Sequence, residues 1–146
     1  MFKHILLATD GSAASEHAAM MAVGLARTQG AKLTALYVVD PYPYLGIGDT
    51  NPMGFNAYMS AARGHAAHAH ARVAALCGKG GEPVDLQLRL VEDGTAVAGI
   101  LKTASDEGAD LVIVGSHGRT GLSRLMLGSI AGKVVAESPV PVLVAR

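Results

Sequence analysis

The run "DLVIVGSHGRTGLSRLMLGS", residues 110–129, joins a short apolar segment to a glycine-rich stretch that ends in a Gly-Ser pair. Its apolar part, 110–115, has the length and composition of a strand that is covered on both faces. Gly115, Gly118 and Gly128 follow with more glycine than a turn requires, because one or two glycines are enough to reverse a chain. The stretch therefore predicts a strand, a ligand-binding loop and the start of a helix.

The rest of the chain repeats the alternation of strand and helix. Apolar runs bounded by Gly, Pro or Asp predict strands at 4–9, 31–39, 110–115 and 140–145, and an alternating run predicts an edge strand at 84–91. Helical periodicity and cap residues predict helices at 13–28, 57–77, 95–107 and 129–137. This order indicates a single α/β domain over residues 1–146, an open five-stranded parallel sheet with helices on both faces.

Composition excludes several classes of function. Lys+Arg and Asp+Glu number 12 each, so the net charge is zero, and we expect no nucleic-acid partner because phosphate backbones are bound mainly by clustered positive charge. No apolar run approaches the ~20 residues that cross a bilayer. The chain has one cysteine and therefore no internal disulfide. These features predict a soluble, cytoplasmic protein.

The glycine-rich stretch has a physical interpretation as an anion site. Ligands of open parallel sheets bind outside the carboxyl ends of the strands. If the first and fourth strands are neighbours, Asp10 and the glycine loop flank one crevice. Gly128 and Ser129 open the last helix, whose first amides lack partners and carry partial positive charge. The arrangement predicts an anionic ligand.

Two well-known phosphate motifs do not fit the chain. The nearest match to a P-loop, residues 128–134, is one residue short and has Val134 where Ser or Thr is needed. The dinucleotide pattern G-x-G-x-x-G begins at Gly46 but meets Asn51 at its last position, in a segment that we do not expect a helix to follow directly.

The pattern that does fit is G-x-x-G, nine residues, then G-S, formed by Gly115, Gly118, Gly128 and Ser129. It resembles the nucleotide-binding pattern of the universal stress protein family. The segments "HILLATDGS", "ALYVVD" and "SPVPVLVAR" are similar to that family's first, second and last strands. The resemblance covers the whole chain. It implies a Rossmann-like sheet of strand order 3-2-1-4-5, membership of the ATP-binding subgroup, and homodimers that pair through Val140 to Ala145.

The resemblance also implies a set of ligand contacts. By position these are Thr9 and Asp10 on the adenosine side, Val38 at adenine, Val114 and Gly115 at the ribose, and Gly118, Gly128, Ser129 and Ile130 at the phosphates. Mg²⁺ would accompany the nucleotide. The chain offers no set of residues for strong phosphoryl transfer, so we assign no catalytic residue and no protein metal ligand. The predicted function is an ATP-binding stress-response regulator with at most slow hydrolysis.

Two other functions stay open on the sequence. One is a genuine ATPase or adenylate-handling enzyme that uses Asp10 and His117. The other is a nucleotide-free dimeric interaction module that uses the 40–56 loop. Asp10 could serve only as a helix cap, Arg119 could be a solvated charge, and ATP is not separated from AMP or a cyclic nucleotide.

Four further side chains carry weaker signals. His65, His68 and His70 lie in one predicted helix, but no Cys, His or carboxylate at matched spacing completes a metal site, so we expect a polar helix face. We expect Cys77 to be an unreactive packed thiol, since only Lys79 lies nearby to lower its pKa. The role of the 40–56 loop is not predicted.

Overall fold

The structure, a computed structural model, describes residues 1–41, 52–117 and 126–146, with the side chains of residues 52 and 53 outside that description. Five strands and four helices alternate along these residues. In chain order they are β1 (His4–Ala8), α1 (Ala13–Gln29), β2 (Lys32–Val38), α2 (Pro52–Cys77), β3 (Leu86–Val91), α3 (Ala96–Glu107), β4 (Leu111–Gly115), α4 (Ser129–Glu137) and β5 (Val142–Ala145). All neighbouring strands are parallel and their order is β3-β2-β1-β4-β5, which confirms the predicted fold.

The central strands are apolar at successive residues because both faces of the sheet are covered. Ile5 and Leu7 pack into a core beneath α1 and α2, whereas Leu6, between them, packs into a second core beneath α3 and α4. All three side chains are fully buried. Burying each such side chain contributes about 1.5–3 kcal/mol to folding stability. The strands with the most continuous apolar runs therefore stabilise the packing of helices on both faces of the sheet.

The alternating segment is an edge strand, as predicted. β3 pairs only with β2 in the described sheet, and its Leu88 and Leu90 side chains are exposed. β5 forms the opposite edge and pairs with β4. The two edges differ in burial, because β5 is half-buried or buried along its whole length.

Cap residues place the helix ends. The Ser12 hydroxyl accepts a hydrogen bond from the Ser15 amide at the start of α1, and Thr95 plays the same part for α3. Gly30 ends α1 with a φ of 64°, in the left-handed region that glycine adopts without steric cost. Thr95 and Gly30 are of the residue types that commonly begin and end helices, so both ends carry a local sequence signal.

The start of the second helix was predicted wrongly. α2 begins at Pro52, five residues before the predicted position 57, so the predicted 40–56 loop is shorter than expected. Proline suits the first helical position, where its missing N–H would have no partner in any case. Its place in a run rich in Pro, Tyr and Gly concealed that signal. Residues 42–51 of the predicted loop lie outside the described residues.

Arg27 of α1 joins two helices and the link into the edge strand. Its guanidinium donates hydrogen bonds to four backbone carbonyls, those of Leu76 and Cys77 at the end of α2 and of Lys79 and Glu82 in the following turn. The shortest, to the Lys79 oxygen, is 2.6 Å. Because the last carbonyls of a helix have no partner within it, this one side chain satisfies the end of α2 and holds the glycine-containing turn before β3.

Within the described ranges, no helix combines the length and the apolar character that a membrane span requires.

Candidate functional site

A cavity of about 290 Å³ opens at the carboxyl ends of β1, β2 and β4. At this point the connections diverge, since α1 follows β1 onto one face of the sheet and α4 follows β4 onto the other. Crevices at such topological switch points are where open α/β sheets bind ligands. The cavity therefore lies where the sequence placed the candidate site.

The predicted site residues meet at this cavity, except for one that the structure does not describe. Gly118 lies outside the described residues, as does Arg119. The others line the cavity wall and are Thr9, Asp10, Val38, Val114, Gly115, Gly128, Ser129 and Ile130.

One side of the cavity is apolar. Leu36 and Val38 of β2 and Val114 of β4 present aliphatic side chains to it, and Ile100 of α3 closes the wall from above the sheet. Leu36, Val114 and Ile100 are nearly or fully buried. Such a surface suits a flat, weakly polar group rather than a charged one, because burying a charge without a partner is costly.

The other side of the cavity is the amino terminus of α4. Gly128 is the cap residue and supplies no side-chain hydrogen bond. In the part of the chain that the structure describes, no acceptor is found for the amides of Ser129, Ile130 and Ala131, all of which line the cavity. These amides and the helix dipole favour a negatively charged group at this end.

The Gly128 backbone joins the start of α4 to Ser116, the residue that follows β4. Its N–H donates a 2.7 Å hydrogen bond to the Ser116 carbonyl, and a Cβ at Gly128 would lie 2.9 Å from that same oxygen. Its φ of −59° is open to any residue, so the need for glycine here is steric. The sequence assigned Gly128 to the phosphates. In the structure its amide already has a partner, so Gly128 sets the shape of this wall.

β4 ends close to both neighbouring elements. A Cβ at Gly115 would lie 3.3 Å from the Ala14 carbonyl at the start of α1, which explains a small residue there. The next amide, that of Ser116, donates to the Ala145 carbonyl of β5 at 2.7 Å. The Ser116 hydroxyl lies 2.8 Å from Nδ1 of His117, which also lines the cavity.

Thr9 and Asp10 shape the turn between β1 and α1 while they line the cavity. Asp10 Oδ1 accepts a 2.9 Å hydrogen bond from the Ser12 amide, whereas the cap of α1 is Ser12 itself. The Thr9 hydroxyl donates to the Ser15 hydroxyl at 3.2 Å and accepts from the Gly11 amide. Asp10 is therefore not the helix cap that the sequence allowed. It lines the cavity, and its carboxylate accepts the hydrogen bond from the Ser12 amide.

The sequence and the fold of this chain are similar to those of known proteins. A model of the universal stress protein family matches residues 1–146. The chain belongs to the universal stress protein family. A universal stress protein of Thermus aquaticus is 37% identical over 147 residues, and the match covers 100% of both chains.

Solved structures of the family show the same fold. Universal stress protein UspA of Lactobacillus plantarum superposes with a TM-score of 0.77 at 26% identity, over 99% of this chain and 97% of the other. A universal stress protein whose crystal structure is in complex with cAMP has a TM-score of 0.69, also at 26% identity and with the same coverage.

Several cavity residues of this universal stress protein were missed by the sequence analysis. Asp40 follows β2 and reaches the cavity mouth, and its position just after an apolar run could have revealed it. Ala96 and Ile100 come from α3, and Ser15 from α1. These three carry no local signal, because only the packing of the helices onto the sheet brings them to the cavity.

The three histidines of α2 differ in their burial. His65 and His68 are exposed, as expected of a polar face, and the described ranges contain no group of three or more potential metal ligands. His70 differs, since it is 8% exposed and its Nε2 has no hydrogen-bond partner among the described residues. Cys77, at the end of the same helix, is buried, and burial raises the pKa of its thiol.

His70→Leu is expected to change how stability depends on pH. Burial lowers the pKa of His70 below its ordinary value of 6.5, so the folded chain binds fewer protons there than the unfolded chain. Its contribution to stability is then complete above about pH 6.5 and is lost as the pH falls toward the folded pKa. We expect urea unfolding to give a variant at least as stable as wild type at about pH 8, with a larger advantage at about pH 5.

The control for this variant is His68→Leu, at an exposed position of the same helix. It should follow the wild-type pH dependence. An advantage of His70→Leu that stays constant across this pH range would contradict the assignment of the effect to His70.

Proposed function

We propose that this universal stress protein is a regulatory protein that binds an adenine nucleotide, ATP in particular, in the switch-point cavity. The observation that carries the proposal is the polarity of the cavity, with an apolar wall on one side and, on the other, the first amides of α4, for which no acceptor is found among the described residues. A nucleotide has the matching polarity, a flat base at one end and phosphates at the other. The relative in complex with cAMP supports an adenine nucleotide as the ligand class.

The proposed contacts follow from this polarity. The base would lie against Val38 and Ile100, and the ribose near Asp10 and Gly115. The phosphates would accept hydrogen bonds from the amides at the start of α4 and from the Ser129 hydroxyl. Gly118, assigned by resemblance, would add a further amide.

Mg²⁺ fits this site as a companion of the phosphates. It commonly keeps several waters and takes one or two protein carboxylates together with substrate phosphate oxygens. Asp10 and Asp40 are the carboxylates of the described cavity wall, and either would supply such an oxygen. When bound, the ion would neutralise phosphate charge. The protein's own part is to hold the nucleotide between the apolar wall and the amides of α4.

The described wall favours a bound ligand over rapid turnover. It contains neither lysine nor arginine to stabilise charge on a transferring phosphoryl group. Asp10 is engaged by the Ser12 amide, and His117 Nδ1 lies beside the Ser116 hydroxyl. We therefore infer slow hydrolysis at most, with the nucleotide shifting a conformational or assembly equilibrium in a stress response.

The first test is to identify what the purified protein carries. We expect mass spectrometry of denatured protein to detect an adenine nucleotide, and calorimetry of stripped protein to show tighter binding of ATP with Mg²⁺ than of AMP or cAMP. Failure of every adenine nucleotide to bind at millimolar concentration would overturn the proposal and favour the nucleotide-free module. Many turnovers per minute, lost in Asp10→Ala, would instead favour the enzyme.

We further propose a cytoplasmic homodimer that pairs through β5. This edge strand is apolar, and an uncovered apolar edge invites uncontrolled association. A dimer would cover the segment from Val140 to Ala145, which contains β5. Sedimentation over a range of concentrations should show a species of twice the monomer mass, and a monomer at every concentration would contradict the pairing.

A further inference from the structure

Gly99 of α3 packs against Val38, a residue in the wall of the proposed nucleotide cavity. A Cβ at Gly99 would lie 2.9 Å from Cγ2 of Val38 and 3.3 Å from its Cγ1. It would also lie 3.5 Å from Cγ1 of Val91, the partner of Val38 in the β2–β3 register. Real Cβ atoms do not approach carbon as closely as 2.9 Å, so α3 rests on this pair of valines only because residue 99 has no side chain.

The position of Val38 matters because this side chain forms part of the apolar wall. Glycine is among the poorest helix formers, so its place within α3 has a cost that the close contact explains. Ile100 and Ala104 anchor the same helix in the core and are 3% and 5% exposed. Lifting α3 away from the sheet would lose that packing.

Val38 borders the cavity, which offers open space beside this side chain. A methyl group at residue 99 would therefore be accommodated most cheaply by turning Val38 toward the cavity rather than by moving the helix. Valine has few χ1 positions, so such a turn moves a methyl group by a whole rotamer step. The apolar pocket would become narrower.

We propose that Gly99 is a specificity-determining residue. Because it has no side chain, it leaves room for Val38 to pack against α3, and this sets the width of the pocket for the base. This inference rests on the proposed function and deepens it, because it assigns the apolar wall to a bicyclic base. Gly99 does not itself line the described cavity and acts as a positioning residue.

Gly99→Ala is expected to weaken AMP binding about tenfold or more, because the base must push the turned Val38 side chain back against the new methyl group, and the overpacked contact is then restored on binding. Ribose 5-phosphate, which has the sugar and phosphate without the base, should bind the variant as it binds wild type. Calorimetry with both ligands separates a change in base-pocket width from a general disturbance of the site.

The effect of Gly99→Ala should also be measured in a protein that carries Val38→Ala. This second substitution removes both Val38 methyl groups and leaves a Cβ at residue 99 only its ordinary 3.5 Å contact with Val91, so Gly99→Ala should have little effect on AMP binding when combined with it. The matched control is Gly24→Ala, a helix glycine of α1 whose Cβ would meet no atom within 4 Å. It should leave the affinity for both ligands unchanged.

The outcomes separate this inference from the proposal beneath it. If wild type binds no adenine nucleotide, the proposed function and the inference fall together. If wild type binds AMP and Gly99→Ala binds it equally well, only the inference is overturned. The same holds if the variant loses as much affinity for ribose 5-phosphate as for AMP. An equal loss in the Val38→Ala background would also overturn it. Methyl NMR of the ligand-free variant should show Val38 in a changed rotamer.

Discussion

Gly128→Ala is expected to weaken adenine-nucleotide binding about tenfold or more, because the amides must return to their present positions against the added methyl group before they can bind phosphate, at a cost of about 1–3 kcal/mol. The added methyl group would lie 2.9 Å from the Ser116 carbonyl, which is backbone and cannot rotate away. The loop and the start of α4 must separate, and the 2.7 Å hydrogen bond between them must lengthen or break. The amides that we assign to the phosphates would then shift.

The measurement is calorimetry with ATP and Mg²⁺, with circular dichroism to confirm the fold. Gly132→Ala is the matched control, because it lies four residues on in α4 and its Cβ would meet only Leu127 Cδ2, at 3.9 Å. It should bind normally and gain about 0.5–1 kcal/mol in stability from the better helix former. Wild-type affinity in Gly128→Ala would show that the start of α4 does not form the phosphate site.

Thr34→Val is expected to lose about 2–3 kcal/mol of unfolding free energy, a large cost for a change that keeps the shape of the side chain. Thr34 is fully buried, and its hydroxyl lies 2.8 Å from both His4 Nε2 and Glu107 Oε2. Valine would leave those two groups without this partner in a buried setting. Glu107 would keep its bond from Arg89.

Urea unfolding measures this loss, and the slope with urea should stay unchanged. Thr28→Val is the control, since Thr28 is exposed and its hydroxyl bonds only carbonyls of its own helix. It should remain within about 0.5 kcal/mol of wild type. Thr34 lies away from the cavity lining, so nucleotide affinity should persist in folded Thr34→Val. A stability close to that of wild type would show that this buried network adds nothing.

The sheet was predictable because its information is local. Successive apolar residues such as Ile5, Leu6 and Leu7 predict a strand with two covered faces, and Thr95 and Gly30 have backbone reasons to begin and end helices. The start of α2 at Pro52 was missed because a proline in a loop-like run can also be a first helical residue. Local sequence alone does not decide between these two roles.

The cavity wall was predictable where a residue lies in the last positions of a strand, as Val114 and Gly115 do, or directly after it, as Thr9 and Asp10 do. It was not predictable where helix packing decides. Ile100 reaches the cavity from α3 only because that helix lies close to β2. The sequence marked Gly128 as important, but its contact with the Ser116 carbonyl joins residues on opposite sides of a loop, and no pattern of neighbouring residues reveals it.

The hold of Arg27 on the turn after α2 has a consequence for protease sensitivity. Lys79 is exposed beside glycines, where a trypsin-like enzyme would ordinarily cut, yet its carbonyl oxygen is engaged by the guanidinium. Cleavage requires the peptide bond after Lys79 to enter the enzyme's cleft in extended form, so the hydrogen bond from Arg27 must break first. The rate of cleavage after Lys79 in native protein therefore reports how often the turn between α2 and β3 opens locally.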